Sequence, residues 1–172
     1  PPAWLKVPVH GNQSMTGSAE PNGLDPRPIA QAAWAKYMSK WVEAYGDAGV
    51  PIWGVTVQNE PEFAAPWEAC KYNASFMASF VRDYLGPILK SDHPGIKIMA
   101  FDHNKDHLEA WTAEMFTPGS AGSYVDGMAF HWYAGGMDRL GDGTFGYQNV
   151  AAADSLLPPG EGKFLLASEG CN

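Results

Sequence analysis

The chain has 172 residues and a formal net charge of −8, from 11 Lys and Arg against 19 Asp and Glu. No segment clusters basic residues, so nucleic acid is excluded as a partner, because nucleic-acid binding requires a basic footprint. A hydrophobic fraction of 45% and seven Trp exclude intrinsic disorder, and two Cys are too few for a disulfide framework or a four-ligand zinc site.

Five short apolar runs predict buried strands, at residues 3–7, 52–57, 96–101, 125–130 and 164–167. Nearly continuous hydrophobicity over runs of this length is typical of parallel strands that are covered on both faces. Because predicted strands lie at both ends of the chain, we expect it to be part of a longer protein.

In the segments between these runs, apolar residues recur with the spacing of a helix. The first predicted helix ends near Gly46 or Gly49, and it is based on apolar residues that recur every four positions: Ile29, Ala33, Tyr37, Trp41 and Tyr45. A second carries Phe76, Phe80 and Tyr84 and ends near Gly86-Pro87, a third spans residues 108–115, and a weaker fourth spans 149–156. The alternation of strand and helix predicts βαβ units and a parallel sheet.

Two closures of such a sheet are possible, an open doubly wound sheet and a (β/α)8 barrel. The chain has no GxGxxG or GxxxxGK[ST] motif, so the phosphate-binding turns of doubly wound folds are absent. Polar residues instead follow the predicted strands, at 58–60, 102–104, 131–133 and 168–169. Active sites of barrels are built at these strand ends, so we predict a (β/α)8 barrel, present here as a fragment because five strands cannot close eight.

Glu60 and Glu169 lie just after two different apolar runs, within three residues of the end of each. A carboxylate at such a position is costly unless it is paired or lines a polar site. Each could be a strand-end carboxylate held by an arginine or by loop amides. Two of them at the ends of different strands favour glycoside hydrolysis, which uses a pair of carboxyl groups.

Three motifs resemble those of glycoside hydrolase family 30, specifically its glucosylceramidase (acid β-glucosidase) branch. They are Thr56-Val57-Gln58-Asn59-Glu60-Pro61, Phe130-His131-Trp132-Tyr133 and Ala167-Ser168-Glu169-Gly170-Cys171. The segments Trp4-Leu5-Lys6 and Trp34-Ala35-Lys36-Tyr37 are also similar to that branch, and the similarity covers nearly the whole chain.

The resemblance implies a role for each matching residue. Glu60 matches the general acid/base at the end of the fourth barrel strand, and Glu169 matches the nucleophile at the end of the seventh. Four further positions match substrate-binding residues of the pocket: Asn59, Trp4, His131 and Tyr133. The fragment would run from roughly the third to the seventh strand, without the remaining strands and the β-sandwich domain of the family. Gly170 stands where alanine is more common, and the loop at residues 62–67 is shorter than in those enzymes.

The implied function is that of a retaining β-glycosidase that hydrolyses the β-glucosidic bond of a glucosylceramide-like substrate. Its two carboxylates require no metal or organic cofactor. The implied partners are a glycoside or glycolipid substrate and, for the full-length protein, a peripheral contact with a lipid membrane. The acidic balance and the sequons at Asn12 and Asn73 favour a lysosomal or secreted location. The alternatives are another family-30 hydrolase, either an endo-β-1,6-glucanase or a β-xylosidase, and a non-catalytic carbohydrate-binding barrel.

One other segment has metal-ligand spacing. His103 and His107 stand at i and i+4, with carboxylates at Asp102 and Asp106. Lys105 between them disfavours a cation, so we interpret this segment as a solvated loop and helix cap.

Overall fold

The computed structural model describes residues 1–8, 15–134 and 146–170. Four of the five apolar runs form strands: β1 Gly54–Thr56, β2 Lys97–Asn104, β3 Gly127–His131 and β4 Phe164–Glu169. These strands lie parallel in the order β1-β2-β3-β4. In the wall of a barrel, neighbouring strands have the same order as in the chain. In a doubly wound sheet, the order of the strands reverses at a switch point. The predicted parallel α/β sheet is confirmed.

The strand predicted at residues 3–7 is wrong. Ala3–Leu5 is a turn of 3-10 helix, and Lys6 makes a single antiparallel bridge to Leu24. Leu5 and Lys6 are buried, and the Lys6 ammonium donates to the Met15 carbonyl. A short apolar run indicates that the segment is buried, but a buried turn and a buried strand can have the same run of apolar residues. The described residues therefore supply four barrel strands instead of five.

All four predicted helical segments form helices. They are α1 Pro28–Asp47, α2 Ala74–Phe80 with α3 Gly86–Asp92, α4 Leu108–Phe116 and α5 Tyr147–Leu156. The predicted end near Gly86-Pro87 is wrong, because a π-helical segment, Val81–Leu85, joins α2 to α3. Pro87 falls in the first turn of α3, where proline is tolerated. The Asn73 side chain caps α2 by accepting from the Phe76 amide, and Asn12 lies outside the described residues.

The face of helix α1 that is buried is not the stripe of apolar residues on which the prediction of this helix was based. Its buried residues are small or polar, namely Ala30, Gln31, Ala35, Ser39 and Val42, whereas Ile29, Tyr37, Trp41 and Tyr45 are exposed. An open groove of about 510 Å³ lies between this aromatic face and β1, which is an edge of the sheet. A closed barrel has no such edge, so an apolar face beside it is consistent with part of a barrel wall.

The sheet core lies on β2 and β3, whose apolar residues are almost completely buried, while β4 becomes exposed towards its carboxyl end. Gly127 permits close packing of β3 on β4, since a Cβ there would lie 2.6 Å from the Phe164 carbonyl oxygen. No helix in the described part of the chain is long and apolar enough to cross a membrane.

Candidate active site

The carboxyl ends of the four strands bring polar side chains together, as expected for a barrel. Glu60 follows β1 in a short loop, His131 ends β3 and Glu169 ends β4. Asp102 and His103 lie near the end of β2. These positions are consistent with the strand-end rule that identified the two glutamates.

Two β-bulges shape this end of the sheet. The β2–β3 register shifts between Phe101 and His103, which leaves Asp102 as the additional residue. The β3–β4 register shifts at His131 in the same way and leaves Ser168 as the additional residue of β4. Consecutive residues of a regular strand point to opposite faces, and a bulge breaks that alternation. As a result, both Asp102 and His103 lie against His131.

The Asp102 carboxylate joins the four strands. It accepts hydrogen bonds from the hydroxyls of Thr56 on β1, at 2.6 Å, and Ser168 on β4, at 2.5 Å. Its Oδ1 lies 3.4 Å from Nε2 of His131 on β3. Burial acts to raise the pKa of Asp102, but His131, Ser168 and Thr56 together hold the pKa below its ordinary value. The carboxylate form is therefore favoured although the group is buried.

Backbone strain is concentrated at the same place. The only non-glycine residues with positive φ in the described ranges are Glu60 at 47°, Phe101 at 73° and Asp102 at 63°. The amide of Glu60 donates to the carbonyl oxygen of Asp102 at 2.9 Å, so two of the three are hydrogen-bonded to each other. Such conformations cost about 1–3 kcal/mol each and persist where surrounding contacts hold them, often at functional sites.

His131 lies between the two glutamates. Its side chain is fully buried, with Nδ1 3.6 Å from Glu60 Oε1 and Nε2 3.8 Å from Glu169 Oε2. Neither ring nitrogen makes a well-directed hydrogen bond within the described residues. Burial alone would lower the pKa of His131, but contact with Asp102 and the charges of Glu169 and Glu60 raise it above its ordinary value. The three carboxylates therefore outweigh the effect of burial on the pKa of this imidazole.

The histidine pair at i and i+4 is arranged around Glu62. His107 Nδ1 lies 2.7 Å from Glu62 Oε2, and the Trp111 indole donates to Glu62 Oε1 at 3.0 Å. His103 Nε2 lies 3.9 Å from the same carboxylate. Contact with Glu62 raises the pKa of His107, whereas burial lowers the pKa of His103.

The interpretation of this segment as a solvated loop is wrong, because residues 102–104 belong to β2 and both Asp102 and Lys105 are buried. The Lys105 ammonium lies 4.5 Å from the ring centroid of Tyr147 and donates to the Trp132 carbonyl. These residues and Glu169 line a cavity of about 280 Å³.

The remaining predicted residues lie around this centre. The Tyr133 ring meets the His131 ring edge-on, with centroids 6.1 Å apart. Asn59, directly before Glu60, is exposed, and Trp4 is 60% exposed on its 3-10 turn. The roles of Asn59, Trp4, His131 and Tyr133 as substrate-binding residues stay predictions. Gly170 has room for a Cβ, which would lie 3.4 Å from the Cβ of Trp132, and Cys171 lies outside the described residues.

Sequence reasoning missed the contribution of Asp102, Thr56 and Ser168. Asp102 directly follows the apolar run at 96–101, and this is the same signal that identified Glu60 and Glu169. Asp102 is among the polar residues that the strand-end rule places at the site, but its segment is predicted as a solvated loop. Nothing in the local pattern indicates that the hydroxyls of Thr56 and Ser168 meet that carboxylate.

Comparisons with known proteins agree with this architecture. A sequence model of the glycosyl hydrolase family 30 TIM-barrel domain matches residues 1–151. The chain is 29% identical over 176 residues to lysosomal acid glucosylceramidase of Mus musculus, covering 99% of this chain and 31% of that protein. It is 31% identical over 139 residues to an endo-1,6-β-D-glucanase of Neurospora crassa, covering 80% of this chain and 27% of that protein. The crystal structure of SrfJ from Salmonella typhimurium is similar with a TM-score of 0.77 at 29% identity, covering 99% of this chain and 34% of that one.

The sheet and its polar carboxyl end are those of a (β/α)8 barrel, of which this chain forms part. The chain belongs to glycosyl hydrolase family 30, in the branch that contains glucosylceramidases. It spans about a third of the length of the proteins that it matches. The family and the fold class predicted from the sequence are both confirmed.

We expect Asp102→Asn to lower the pKa of His131. The amide oxygen can still accept from one of the two hydroxyls, and its NH2 group can donate to the other, but the substitution removes the negative charge that offsets burial of the imidazole. NMR titration of ¹⁵N-labelled histidine in the full-length protein measures this pKa, and Asp154→Asn on the exposed side of α5 is the control. An unchanged or higher His131 pKa in Asp102→Asn would contradict the assignment.

Proposed function

We propose that this chain carries the catalytic centre of a retaining β-glycosidase, with Glu60 as general acid/base and Glu169 as nucleophile. The observation that supports the proposal is the approach of both carboxylates to different nitrogens of the same buried imidazole, that of His131. They come from the ends of β1 and β4, the two outer strands of the sheet. Two carboxyl groups that converge on one polar cleft are the equipment of glycoside hydrolysis.

In the first step, ionised Glu169 attacks the anomeric carbon and forms a glycosyl-enzyme, while Glu60 protonates the departing glycosidic oxygen. In the second step, Glu60 takes a proton from water, whose oxygen displaces Glu169 from the sugar. His131 is a positioning residue in this scheme, because it contacts both carboxylates and is itself held by Asp102. Both glutamate side chains are partly exposed, so a substrate can reach them.

The proposed substrate is glucosylceramide or a similar glycolipid. Exposed aromatic side chains follow the strands at the site: Phe63 and Trp67 after β1, and Trp132 after β3. Such rings can pack on the apolar face of a sugar or on a lipid chain. The similarity to a lysosomal acid glucosylceramidase supports this substrate and a lysosomal or secreted location. We further propose that the full-length protein makes a peripheral contact with the membrane that holds such a lipid. The similarity to an endo-1,6-β-D-glucanase supports the alternative that the substrate is a β-1,6-glucan.

A substrate panel separates these alternatives. We expect the full-length protein to release glucose from glucosylceramide dispersed in detergent, and an inactive Glu169→Gln variant provides the background. If the protein hydrolyses linear β-1,6-glucan but not glucosylceramide, the proposed substrate is the glucan and not the glycolipid. Failure to hydrolyse glucosylceramide, β-1,6-glucan and a β-xyloside would favour a non-catalytic carbohydrate-binding barrel.

We expect Glu169→Gly to lose turnover by several orders of magnitude and azide to restore part of it. Azide can occupy the space left by the carboxylate and attack the anomeric carbon, which gives an α-glycosyl azide from a β-glycoside. NMR of the product identifies the anomer, and Glu161→Gly in the exposed turn before β4 is the matched control. Formation of the α-azide by a Glu60 variant instead would reverse the two assigned roles.

We expect Glu60→Gln to slow substrates with poor leaving groups by roughly 10²- to 10⁴-fold, because only these require protonation. Aryl β-glucosides with acidic phenols should be affected much less in the first step. Steady-state rates across a series of leaving groups measure the difference, and Glu68→Gln in the same exposed loop is the control. Equal losses for all leaving groups would exclude Glu60 as the general acid.

A further inference from the structure

Glu60 has two histidine neighbours, of which the hydrolytic scheme uses only His131. One ligand atom from each of Glu60, His103 and His131 lies within 4.8 Å of the other two. The His131 side chain is fully buried, and that of His103 is 12% exposed. A carboxylate oxygen with two imidazole nitrogens is a donor set that suits Zn²⁺ and related first-row transition-metal ions.

One pair of these donors already has the spacing that a bound ion requires. His131 Nδ1 lies 3.6 Å from Glu60 Oε1. Zn²⁺ binds nitrogen and oxygen at about 2.0–2.2 Å, so two ligands of a tetrahedral ion lie about 3.4 Å apart. Glu60 and His131 could therefore share an ion with little movement of either side chain.

The second nitrogen of each ring faces a carboxylate. His131 Nε2 lies 3.4 Å from Asp102 Oδ1, and His103 Nε2 lies 3.9 Å from Glu62 Oε2. Glu62 is held in place by His107 and Trp111. Metal-binding histidines usually direct their other nitrogen to a carboxylate or carbonyl in this way, which orients the ring.

The Nδ1 atom of each ring is the nitrogen that would bind the ion. Nδ1 of His103 and Nδ1 of His131 are both buried and make no hydrogen bond to any described residue. A buried polar atom without a partner is costly and rare, and a bound cation is one explanation for it. The two imidazole nitrogens that we assign to the ion are thus among the buried atoms that make no hydrogen bond to a described residue, as is Nε2 of His131.

We propose that Glu60, His103 and His131 form a binding site for a Zn²⁺-class ion, and that occupation of this site inhibits the enzyme. Three protein ligands leave a fourth position for water. A Glu60 carboxylate that is bound to the ion can neither donate a proton to the leaving group nor take one from water. The inhibition rests on the proposed role of Glu60, whereas the binding itself does not.

Equilibrium dialysis of the chelator-treated full-length protein against Zn²⁺ tests binding without reference to activity. We expect the wild-type protein to bind one equivalent more than His103→Gln, while His93→Gln, a histidine on the loop after α3, binds as much as wild type. Glu62→Gln should bind about 10- to 100-fold more weakly, since it loses the charge behind His103. Equal binding by wild type and His103→Gln, or no binding by either, would overturn the site.

Turnover of an aryl β-glucoside then tests the consequence, with each variant referred to its own rate in chelator. Zn²⁺ should inhibit the wild-type protein reversibly, and His103→Gln should raise the concentration for half-inhibition by at least about tenfold. If zinc binds through His103 but leaves turnover unchanged, the inhibition is overturned and the role of Glu60 with it, while the binding site stands. If the protein turns over substrate but binds no zinc, the proposed metal site is contradicted and the proposed function is not.

Discussion

The arrangement of the site depends on one buried carboxylate, that of Asp102. It is stable in the interior only because the Thr56 and Ser168 hydroxyls donate to it and the His131 ring lies beside it. Since these groups come from β1, β4 and β3, the carboxylate on β2 ties the carboxyl ends of all four strands together. The same contact raises the pKa of His131, which in turn approaches Glu60 and Glu169. The positions of the two glutamates are thus coupled through Asp102.

This coupling has a conformational cost. Glu60 and Asp102 both have positive φ, and the bulges at Asp102 and Ser168 interrupt regular pairing in two strands. Regular strands would point Asp102 and His103 to opposite faces, and only one of them could reach His131. The buried sheet behind the site, with β2 and β3 at its centre, supplies the rigidity that holds these conformations. Strain of this kind is characteristic of functional sites, where packing elsewhere stabilises an unfavourable local backbone.

Most of the architecture could be predicted from hydrophobic periodicity, and the errors have physical causes. Four apolar runs became β1 to β4, but the run at 3–7 became a turn, because periodicity reports burial and not backbone conformation. The stripe that predicted α1 is exposed at Tyr37 and Trp41, since helix spacing does not indicate which face has a neighbour. Glu60 and Glu169 could be singled out because a carboxylate directly after a buried strand is exceptional. Asp102 also follows an apolar run, but the polar segment in which it lies, with two histidines, was interpreted as a loop.

The sequence by itself determined most of the elements, the parallel sheet, the family and the presence of carboxylates at strand ends. These properties depend on residue type and on spacing over a few residues, and both are given directly by the sequence. Only the tertiary structure decided that His131 contacts both glutamates, that Asp102 joins the four strands, and that His103 approaches Glu60. Those contacts join residues that are far apart in the chain, and two single-residue bulges change which side chains face each other. A bulge leaves the hydrophobic pattern nearly unchanged, so its effect on the site becomes visible only when the strands are paired.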